Sequence, residues 1–308
     1  MGLRLATIEQ ELAAIRAGLA EIADLSRQIR QVVGPFAVPV SNDDLLVQTL
    51  FGVKFITPMR DLLMTPQLVV YRQWEAQLSR LLPLLSPPGS VFVDVGANFG
   101  YFTCLVANAM GATPGSRVIA VEPNPQMLRL LAVNVQINWS MAPVRVVAAA
   151  LSDSPGLGTL IVPAERAANA TLVAAADNGA PSAAADNGAP PPDPSATAAA
   201  VTVDVLTLDD VLRDEARVDV LKIDVEGLEA AVLRGASGTL RRPGLRIVLE
   251  WAPAQALAAG YAPASLLSLL RAHGFRIFDA ETYLDAPAEL GDEAIMARPY
   301  GNLLALTA

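Results

Sequence analysis

The sequence is poor in the residues on which several common kinds of site depend. It has one cysteine, Cys104, and one histidine, His273. A single cysteine excludes a disulfide within the chain and any metal site built from several cysteines. A single histidine excludes a histidine-cluster metal site and leaves one residue for any Ser-His-Asp triad. Because His273 precedes Gly274 at a predicted helix end, we interpret it as a helix-terminal residue without a catalytic role.

Positive charge and long apolar runs are also scarce. The chain has 22 Lys and Arg against 31 Asp and Glu, a net charge of −9. A nucleic-acid surface needs clustered Lys and Arg, so we expect no nucleic-acid partner. No apolar run approaches the roughly 18 residues of a membrane-spanning helix, so we expect no membrane span. Glu9, Glu11 and Arg16 interrupt any signal-peptide core, so we expect a cytoplasmic protein.

The first 34 residues have the heptad pattern of a coiled coil. Apolar residues recur at alternating spacings and so share one helix stripe, made of Leu5, Leu12, Leu19, Val33, Ile8, Ile15, Ile22 and Ile29. Leucine at one heptad position and isoleucine at the other favours assemblies larger than dimers. We therefore expect residues 1–34 to be an amphipathic or coiled-coil helix that makes the protein a homo-oligomer. The alternative is a helix that packs on its own domain.

The rest of the chain divides into a lead-in and a main domain. The sequence of residues 35–89 predicts short strands and then a helix over 66–85. From residue 90 to 308, strands alternate with helices in the lengths of βαβ units. This alternation predicts an α/β fold with a mostly parallel sheet and helices on both faces. The predicted strands are 91–96, 117–122, 144–151, 201–203, 218–225, 245–251, 275–279 and 303–306.

A repeated segment interrupts the alternation at about 164–200. The run Ala174–Pro181 recurs as Ala183–Pro190, and further prolines follow it. Such an Ala/Pro/Gly/Asn composition buries too little apolar surface to offset the entropy of ordering. We therefore predict a flexible surface insertion within the main domain.

The turn after strand 91–96 carries the first chemical signal. Asp94 precedes a glycine pair, Gly96 and Gly100, whose GxxxG spacing differs from the GxGxxG of dinucleotide-binding loops. An acid before the loop disfavours a phosphate and favours a cationic nucleoside such as S-adenosylmethionine. The next strand ends in Glu122, whose carboxylate can accept both ribose hydroxyl hydrogens. The alternative for Glu122 is a cap of the helix that follows Pro123.

Five motifs then occur in an order and spacing that resemble the FkbM-type methyltransferases. They are Asp94–Tyr101, Glu122–Pro125, Ala150–Asp153, Thr207–Asp210 and Leu221–Gly227. The resemblance covers roughly residues 70 to 307. It implies the class I methyltransferase (Rossmann-like) fold, S-adenosyl-L-methionine as cofactor, and O-methylation of a sugar, glycolipid or polyketide-type natural product. The heptad helix lies outside the resemblance, and the insertion is longer than the family pattern suggests.

The resemblance also implies a set of cofactor-binding residues. They are Asp94, Gly96, Asn98 and Gly100 around the methionine portion, Glu122 at the ribose, Asn124 at the same edge, and Ser152 and Asp153 near the adenine. The alternative for Ser152 and Asp153 is a simple turn.

Asp224 and Glu226 are the candidate catalytic residues. Methyl transfer from a sulfonium to a hydroxyl needs no acid for the leaving group, but it needs positioning and a base for the hydroxyl proton. Asp224 lies near the end of strand 218–225 and Glu226 lies two residues on. One alternative makes both acids part of the next helix's first turn. Another is a divalent cation held by the pair, although we predict no metal site. Glu75 and Glu250 are weaker candidates.

The sequence therefore predicts an O-methyltransferase with a small-molecule or glycan acceptor. Two other classes remain as alternatives. A nucleotide-binding oxidoreductase would require the GxGxxG spacing, which is absent here. A catalytically silent oligomeric scaffold would not need the cofactor set around Asp94 and Glu122, which is intact.

The heptad pattern makes a prediction about assembly. Deleting residues 1–33 should lower the oligomeric state, because the apolar stripe would be lost. Light scattering of the full and shortened chains measures this change directly. An unchanged mass would identify the stripe as an intramolecular packing face.

Overall fold

The computed structural model describes residues 12, 15–16, 18–25, 36–139, 141–162, 171–174 and 199–307. The described positions between 12 and 25 are helical. Their apolar side chains, Leu12, Ile15, Leu19 and Ile22, are exposed. The rest of the predicted heptad helix lies outside the described residues, so its oligomerisation stays a prediction.

The strands and helices begin and end at the following residues. The strands are β1 (Ala37–Pro39), β2 (Asp44–Gln48), β3 (Lys54–Pro58), β4 (Val91–Val95), β5 (Arg117–Val121), β6 (Val144–Val147), β7 (Ala150–Leu151), β8 (Gly156–Val162), β9 (Thr171–Ala174), β10 (Ala199–Leu206), β11 (Val220–Ile223), β12 (Arg246–Trp251), β13 (Phe275–Asp279) and β14 (Gly301–Thr307). The helices are α1 (Met64–Tyr71), α2 (Ala76–Leu85), α3 (Tyr101–Met110), α4 (Pro125–Ile137), α5 (Leu208–Val211), α6 (Glu229–Arg234), α7 (Pro253–Ala258), α8 (Pro263–Ala272) and α9 (Asp292–Met296). Within the described ranges, no helix has the length and apolarity needed to cross a bilayer.

The main sheet has the strand order β13-β14-β12-β11-β4-β5-β6. All of its strands are parallel except β14, which runs antiparallel between β12 and β13. The chain winds outward from β4 to β6 in one direction and from β11 to β12 in the other. The switch point therefore lies between β4 and β11, where open α/β sheets bind their ligands. This topology confirms the predicted α/β class.

Alternating side chains of the central strands build two hydrophobic cores. Val91, Val93 and Val95 of β4 enter one core, which the helices α5, α6 and α8 cover. Phe92 enters the other, beneath α2 and α3. Because successive side chains of a strand point to opposite faces, a strand with buried apolar residues on both faces, such as β4, requires cover on both sides. The helices on both faces follow from that requirement.

The predicted helix over 66–85 is in fact two helices. Arg72 ends α1 with φ 58°, and Glu75 precedes α2 with φ 40°. The buried Arg72 side chain explains the break, because its Nε donates to the Gln48 carbonyl at 3.0 Å and its guanidinium lies 4.2 Å from the centre of the Phe36 ring. These contacts with the lead-in favour a turn over a continued helix.

The predicted strand 144–151 is also divided, and its second part belongs to another sheet. Strand β7 pairs with β10 in a four-stranded sheet of order β7-β10-β8-β9. Part of the segment predicted as a flexible insertion, Thr171–Ala174, is strand β9 and pairs with β8. Thr171 and Val173 are β-branched, which suits a strand. Residues 163–170 and 175–198 of that segment lie outside the described residues.

Asn134 of α4 joins the lead-in sheet to the main domain. Its side chain is fully buried, accepts from the Ile56 N–H at 2.6 Å, and donates to the carbonyls of Ile56 and Phe99 at 3.1 and 2.8 Å. Asn138 makes a similar pair of contacts with Lys54 at a more exposed position.

Replacing Asn134 with alanine should destabilise the fold by about 2–3 kcal/mol, because it leaves buried backbone groups of Ile56 and Phe99 without partners. Chemical denaturation measures the change in the free energy of unfolding. Asn138→Ala is the matched control and should cost less, since water can reach the groups it leaves. Equal costs at the two positions would contradict the role given to Asn134.

Candidate active site

A cavity of about 520 Å³ lies at the carboxyl ends of β4, β5, β11 and β12. This volume is in the range of small-molecule sites. Five of the predicted site residues line it together, namely Gly96, Asn98, Glu122, Asp224 and Glu226. Residues far apart in the sequence therefore meet at the switch point of the sheet.

Gly96 allows the two central strands of the site to approach each other. Its φ is 76°, and a Cβ atom there would lie 1.8 Å from the Asp224 carbonyl oxygen. No side chain fits that space, so Gly96 is needed for packing between the loops that follow β4 and β11. Gly100 is similarly crowded, because a Cβ there would lie 2.4 Å from the Leu131 side chain. Gly100 precedes α3 and does not line the cavity.

Glu122 fixes the loop after β4. Its Oε2 accepts from the Asn98 N–H at 2.8 Å, and its Oε1 accepts from the Asn124 N–H at 2.8 Å. Asn98 has φ 54°, a left-handed conformation that asparagine tolerates better than most residues. Burial raises the pKa of Glu122 to about 7, although the two backbone hydrogen bonds oppose the shift. Each oxygen keeps a lone pair for a donor in the cavity.

A buried ion-pair chain lies below the loop. Lys222 Nζ is 3.4 Å from Asp94 Oδ1 and 3.2 Å from Asp224 Oδ2, and the Thr103 hydroxyl donates to Asp94 Oδ2 at 2.6 Å. Burial lowers the pKa of Lys222, but the charges of Asp224 and Asp94 outweigh it and raise that pKa overall. Asp94 is buried beneath the cavity and does not line it. Its observed role is to hold Lys222, which in turn holds Asp224.

Glu226 is held at the cavity by a residue of α7. Gln255 Nε2 donates to Glu226 Oε2 at 2.7 Å. Burial, with the nearby charges of Asp224 and Glu229, raises the pKa of Glu226 to about 8. This raised pKa makes the ionised carboxylate a stronger proton acceptor than an ordinary glutamate, and it also keeps part of the group protonated at neutral pH. The ionised form suits a base.

The turn ahead of α6 has its own acid. Glu229 Oε1 accepts from the Val225 and Gly227 N–H groups at 3.1 and 3.3 Å. The sequence offered Asp224 and Glu226 for helix-terminal positions, yet Glu229 accepts these hydrogen bonds. Asp224 and Glu226 instead line the cavity.

Three predicted cofactor residues besides Asp94 and Gly100 lie outside the cavity lining. Asn124 caps α4, since its Oδ1 accepts from the Gln126 N–H at 3.0 Å. The Ser152 carbonyl lies against Gly235, where a Cβ would be 2.2 Å away. Asp153 is exposed and accepts from the Ser154 hydroxyl at 3.1 Å. Direct contact of these residues with a cofactor stays a prediction. Apolar side chains, including Leu151, Leu160 and Leu172, line this part of the cavity.

Other side chains of the cavity were weak candidates or had no signal in the sequence. Glu75 and Glu250 both line it, and the Tyr300 hydroxyl donates to Glu250 Oε1 at 2.7 Å. Glu250 has the same sequence pattern as Asp224, because each is an acid at the end of a predicted buried strand. Tyr300 and Gln255 had no such signal, because they lie on neighbouring elements that only the topology brings to the site.

The donors and acceptors of the cavity fit a cationic nucleoside. Among the described residues, Lys222 is the basic side chain of the lining, and two acids already pair with it. The lining therefore offers no second cation for a pyrophosphate. Glu122 offers carboxylate oxygens to hydroxyl donors. In the part of the chain that the structure describes, no group of three or more His, Cys, Asp or Glu residues could hold a metal ion.

Comparisons with known proteins agree with this geometry. The family profile of the methyltransferase FkbM domain matches residues 94–277. The chain is 30% identical over 204 residues to "Methyltransferase sdnD" of Sordaria araneosa, covering 62% of this chain and 75% of that protein. It is 31% identical over 214 residues to "AMB antimetabolite synthetase AmbE" of Pseudomonas aeruginosa, covering 63% of this chain but 10% of that protein.

A solved structure of the same family is also similar. It is the methyltransferase FkbM from Methylobacillus flagellatus KT, with 15% identity and a TM-score of 0.39, over 71% of this chain and 44% of that one.

The sheet topology and the site at its switch point define a class I methyltransferase fold. The chain belongs to the FkbM methyltransferase family, whose domain spans its cavity-forming motifs. Its cofactor is S-adenosyl-L-methionine.

The position of Glu122 makes a prediction about cofactor affinity. Glu122→Ala should weaken S-adenosylmethionine binding by about tenfold to a hundredfold, since hydrogen bonds to a charged group contribute about 1.5–3 kcal/mol. Isothermal titration calorimetry measures the dissociation constant. Asp214→Ala, which changes an exposed acid outside the cavity lining, is the control and should bind normally. Unchanged affinity in Glu122→Ala would show that this carboxylate does not hold the ribose.

Proposed function

We propose that this protein is an S-adenosylmethionine-dependent O-methyltransferase that acts on a hydroxyl group of a sugar, glycolipid or polyketide-type natural product. The observation that carries the proposal is the meeting of Glu122, Asp224 and Glu226 in one cavity. A nucleoside-binding carboxylate and two candidate catalytic acids thus face the same space. The family supports methyl transfer, and the acids support a hydroxyl acceptor.

Three residues of the chain bind or shape the cofactor half of the site. Glu122 accepts the ribose hydroxyl hydrogens, and its backbone contacts hold Asn98 in place. Gly96 keeps the loop close to Asp224. When bound, S-adenosylmethionine supplies an electrophilic methyl group on a cationic sulfur. Ser152, Asp153 and Asn124 are proposed to support the nucleoside edge from outside the cavity lining.

Two acids act on the acceptor. Asp224, paired with Lys222, accepts a hydrogen bond from the acceptor hydroxyl and orients its oxygen. Glu226, held by Gln255, takes up the hydroxyl proton as the oxygen becomes bonded to carbon. Both acids follow β11, and the Asp224 N–H donates to the carbonyl of Val95, the last residue of β4, at 3.1 Å.

The remaining features of the proposal concern assembly and location. We propose a cytoplasmic homo-oligomer that is held together through the heptad helix. The exposed apolar residues Leu12, Ile15, Leu19 and Ile22 support an intermolecular contact. An oxidoreductase is not favoured, because the cavity lacks a free cation for a pyrophosphate among its described lining residues. A silent scaffold is not favoured, because the cofactor residues are assembled in one site.

The direct test is methyl transfer from labelled S-adenosylmethionine to a panel of sugars, glycolipids and polyketide lactones. We expect label in one hydroxyl-bearing class, with the methyl group on oxygen by NMR. A methyl group on nitrogen or carbon would contradict O-methylation. Failure to bind S-adenosylmethionine would contradict the whole proposal.

The catalytic assignment predicts a separation of turnover from cofactor binding. Asp224→Asn should lower kcat by about a hundredfold or more, in the range of positioned acid–base groups. The affinity for S-adenosylmethionine should change little, because Glu122 and the glycine loop remain. Steady-state kinetics and calorimetry measure the two quantities, with Asp214→Asn, at an exposed position outside the cavity lining, as the matched control. An equal loss of kcat and affinity would indicate a structural role for Asp224.

A further inference from the structure

Glu250 is a cavity acid whose hydrogen bonding is incomplete. It is 7% exposed, and its Oε1 accepts from the Tyr300 hydroxyl at 2.7 Å. Its Oε2 is buried and has no hydrogen-bond partner among the described residues. A buried polar atom without a partner costs free energy, so such an atom in a ligand cavity indicates a missing donor. Tyr300 anchors one oxygen and leaves the other for that donor.

Glu250 lies beside the proposed catalytic acids. Leu249 of β12 is the register partner of Ile223 of β11. Glu250 and Asp224 each come one residue later, so they stand at neighbouring strand ends. Neighbouring strands are about 4.8 Å apart, a separation that groups on adjacent carbons of one molecule can bridge with two hydrogen bonds.

The charge of this part of the cavity limits what binds there. Glu75, Glu226 and Glu250 line it, and Lys222 is already paired with Asp94 and Asp224. Burial raises the pKa of Glu250 well above its usual range, and the charges of Asp224 and Glu226 raise it further. A second anionic group would meet repulsion here. A hydrogen-bond donor would relieve the incomplete hydrogen bonding of Glu250.

We propose that Glu250 binds a second hydrogen-bond donor of the acceptor, located on the carbon next to the hydroxyl group that is methylated. The acceptor is therefore a vicinal diol or a vicinal amino alcohol, and neither an isolated alcohol nor a hydroxy acid. Tyr300 is a positioning residue that aims Glu250. This inference rests on the proposed function, since it assigns the acceptor half of the same site.

Four small probes of nearly equal shape test the inference without knowledge of the natural acceptor. They are cis-vicinal cyclohexanediol, the vicinal aminocyclohexanol, cyclohexanol and the vicinal hydroxycyclohexanecarboxylate. Ligand-observed NMR measures their binding to the full chain loaded with S-adenosylhomocysteine. The diol or the amino alcohol should bind at least about tenfold tighter than cyclohexanol, the effect of giving a partner to one buried polar atom that otherwise has none. The hydroxy acid should bind most weakly.

Variants identify the responsible group. Glu250→Met, close in shape but apolar, should remove the preference over cyclohexanol. Tyr300→Phe, at a more exposed position, should reduce it. Glu250→Gln should remove a preference for the amino alcohol but keep one for the diol, which distinguishes the two donors. Glu293→Gln, on the exposed surface of α9, should change nothing.

Several results would overturn the inference. Cyclohexanol could bind as tightly as the diol and the amino alcohol, or the hydroxy acid could bind most tightly. The preference over cyclohexanol could persist in Glu250→Met. All of the probes could fail to bind at about 10 mM, a concentration suited to ligands of this size. Binding of S-adenosylhomocysteine is measured first, so that failure of this inference can be distinguished from failure of the proposed function. If S-adenosylhomocysteine does not bind, the proposed function fails. If it binds, absent probe selectivity refutes the acceptor assignment alone.

Discussion

The site depends on the close approach between the loops that follow β4 and β11. Gly96 and the Asp224 carbonyl are so near that no side chain fits between them, and the Asp224 N–H also donates to the Val95 carbonyl at 3.1 Å. This contact sets the spacing between the nucleoside-binding loop and the proposed catalytic acids. Lys222 then connects Asp94 below one loop with Asp224 on the other. The loop after β4 and the acids after β11 are thereby fixed relative to each other.

Much of the fold could be predicted because its strands carry an unusually clear pattern. Strand β4 is apolar apart from Asp94, and a glycine loop and a helix follow it. This pattern leaves little choice but a buried parallel strand. Elements whose bounds or pairing depend on contacts between distant parts of the chain were harder to predict. The helix over 66–85 is periodic throughout, yet the binding of Arg72 to the lead-in divides it. The pairing of β7 with β10 depends on residues that follow a segment without periodicity.

The candidate site was predictable where a residue's position within one element determines its environment. Glu122 and Asp224 end strands of the parallel sheet, so the fold brings them to one edge. The roles of Tyr300, Gln255 and Glu229 depend on which side chain of a neighbouring element forms the hydrogen bond. Local sequence does not encode that choice. Asp94 illustrates the reverse case. Its motif predicts a ligand contact, which stays a prediction, while its carboxylate pairs with the buried Lys222 beneath the loop.

A ligand bound at Glu122 would also stabilise the folded protein. The same carboxylate supports the left-handed Asn98 backbone and faces the cavity, so a molecule that binds it also strengthens the loop. A ligand that binds only the native state adds about 2.7 kcal/mol of stability at a hundredfold excess over its dissociation constant. The lifetime of this protein against proteolysis would then follow the cell's supply of methyl donor. Methyl-donor starvation would lower its abundance as well as its turnover.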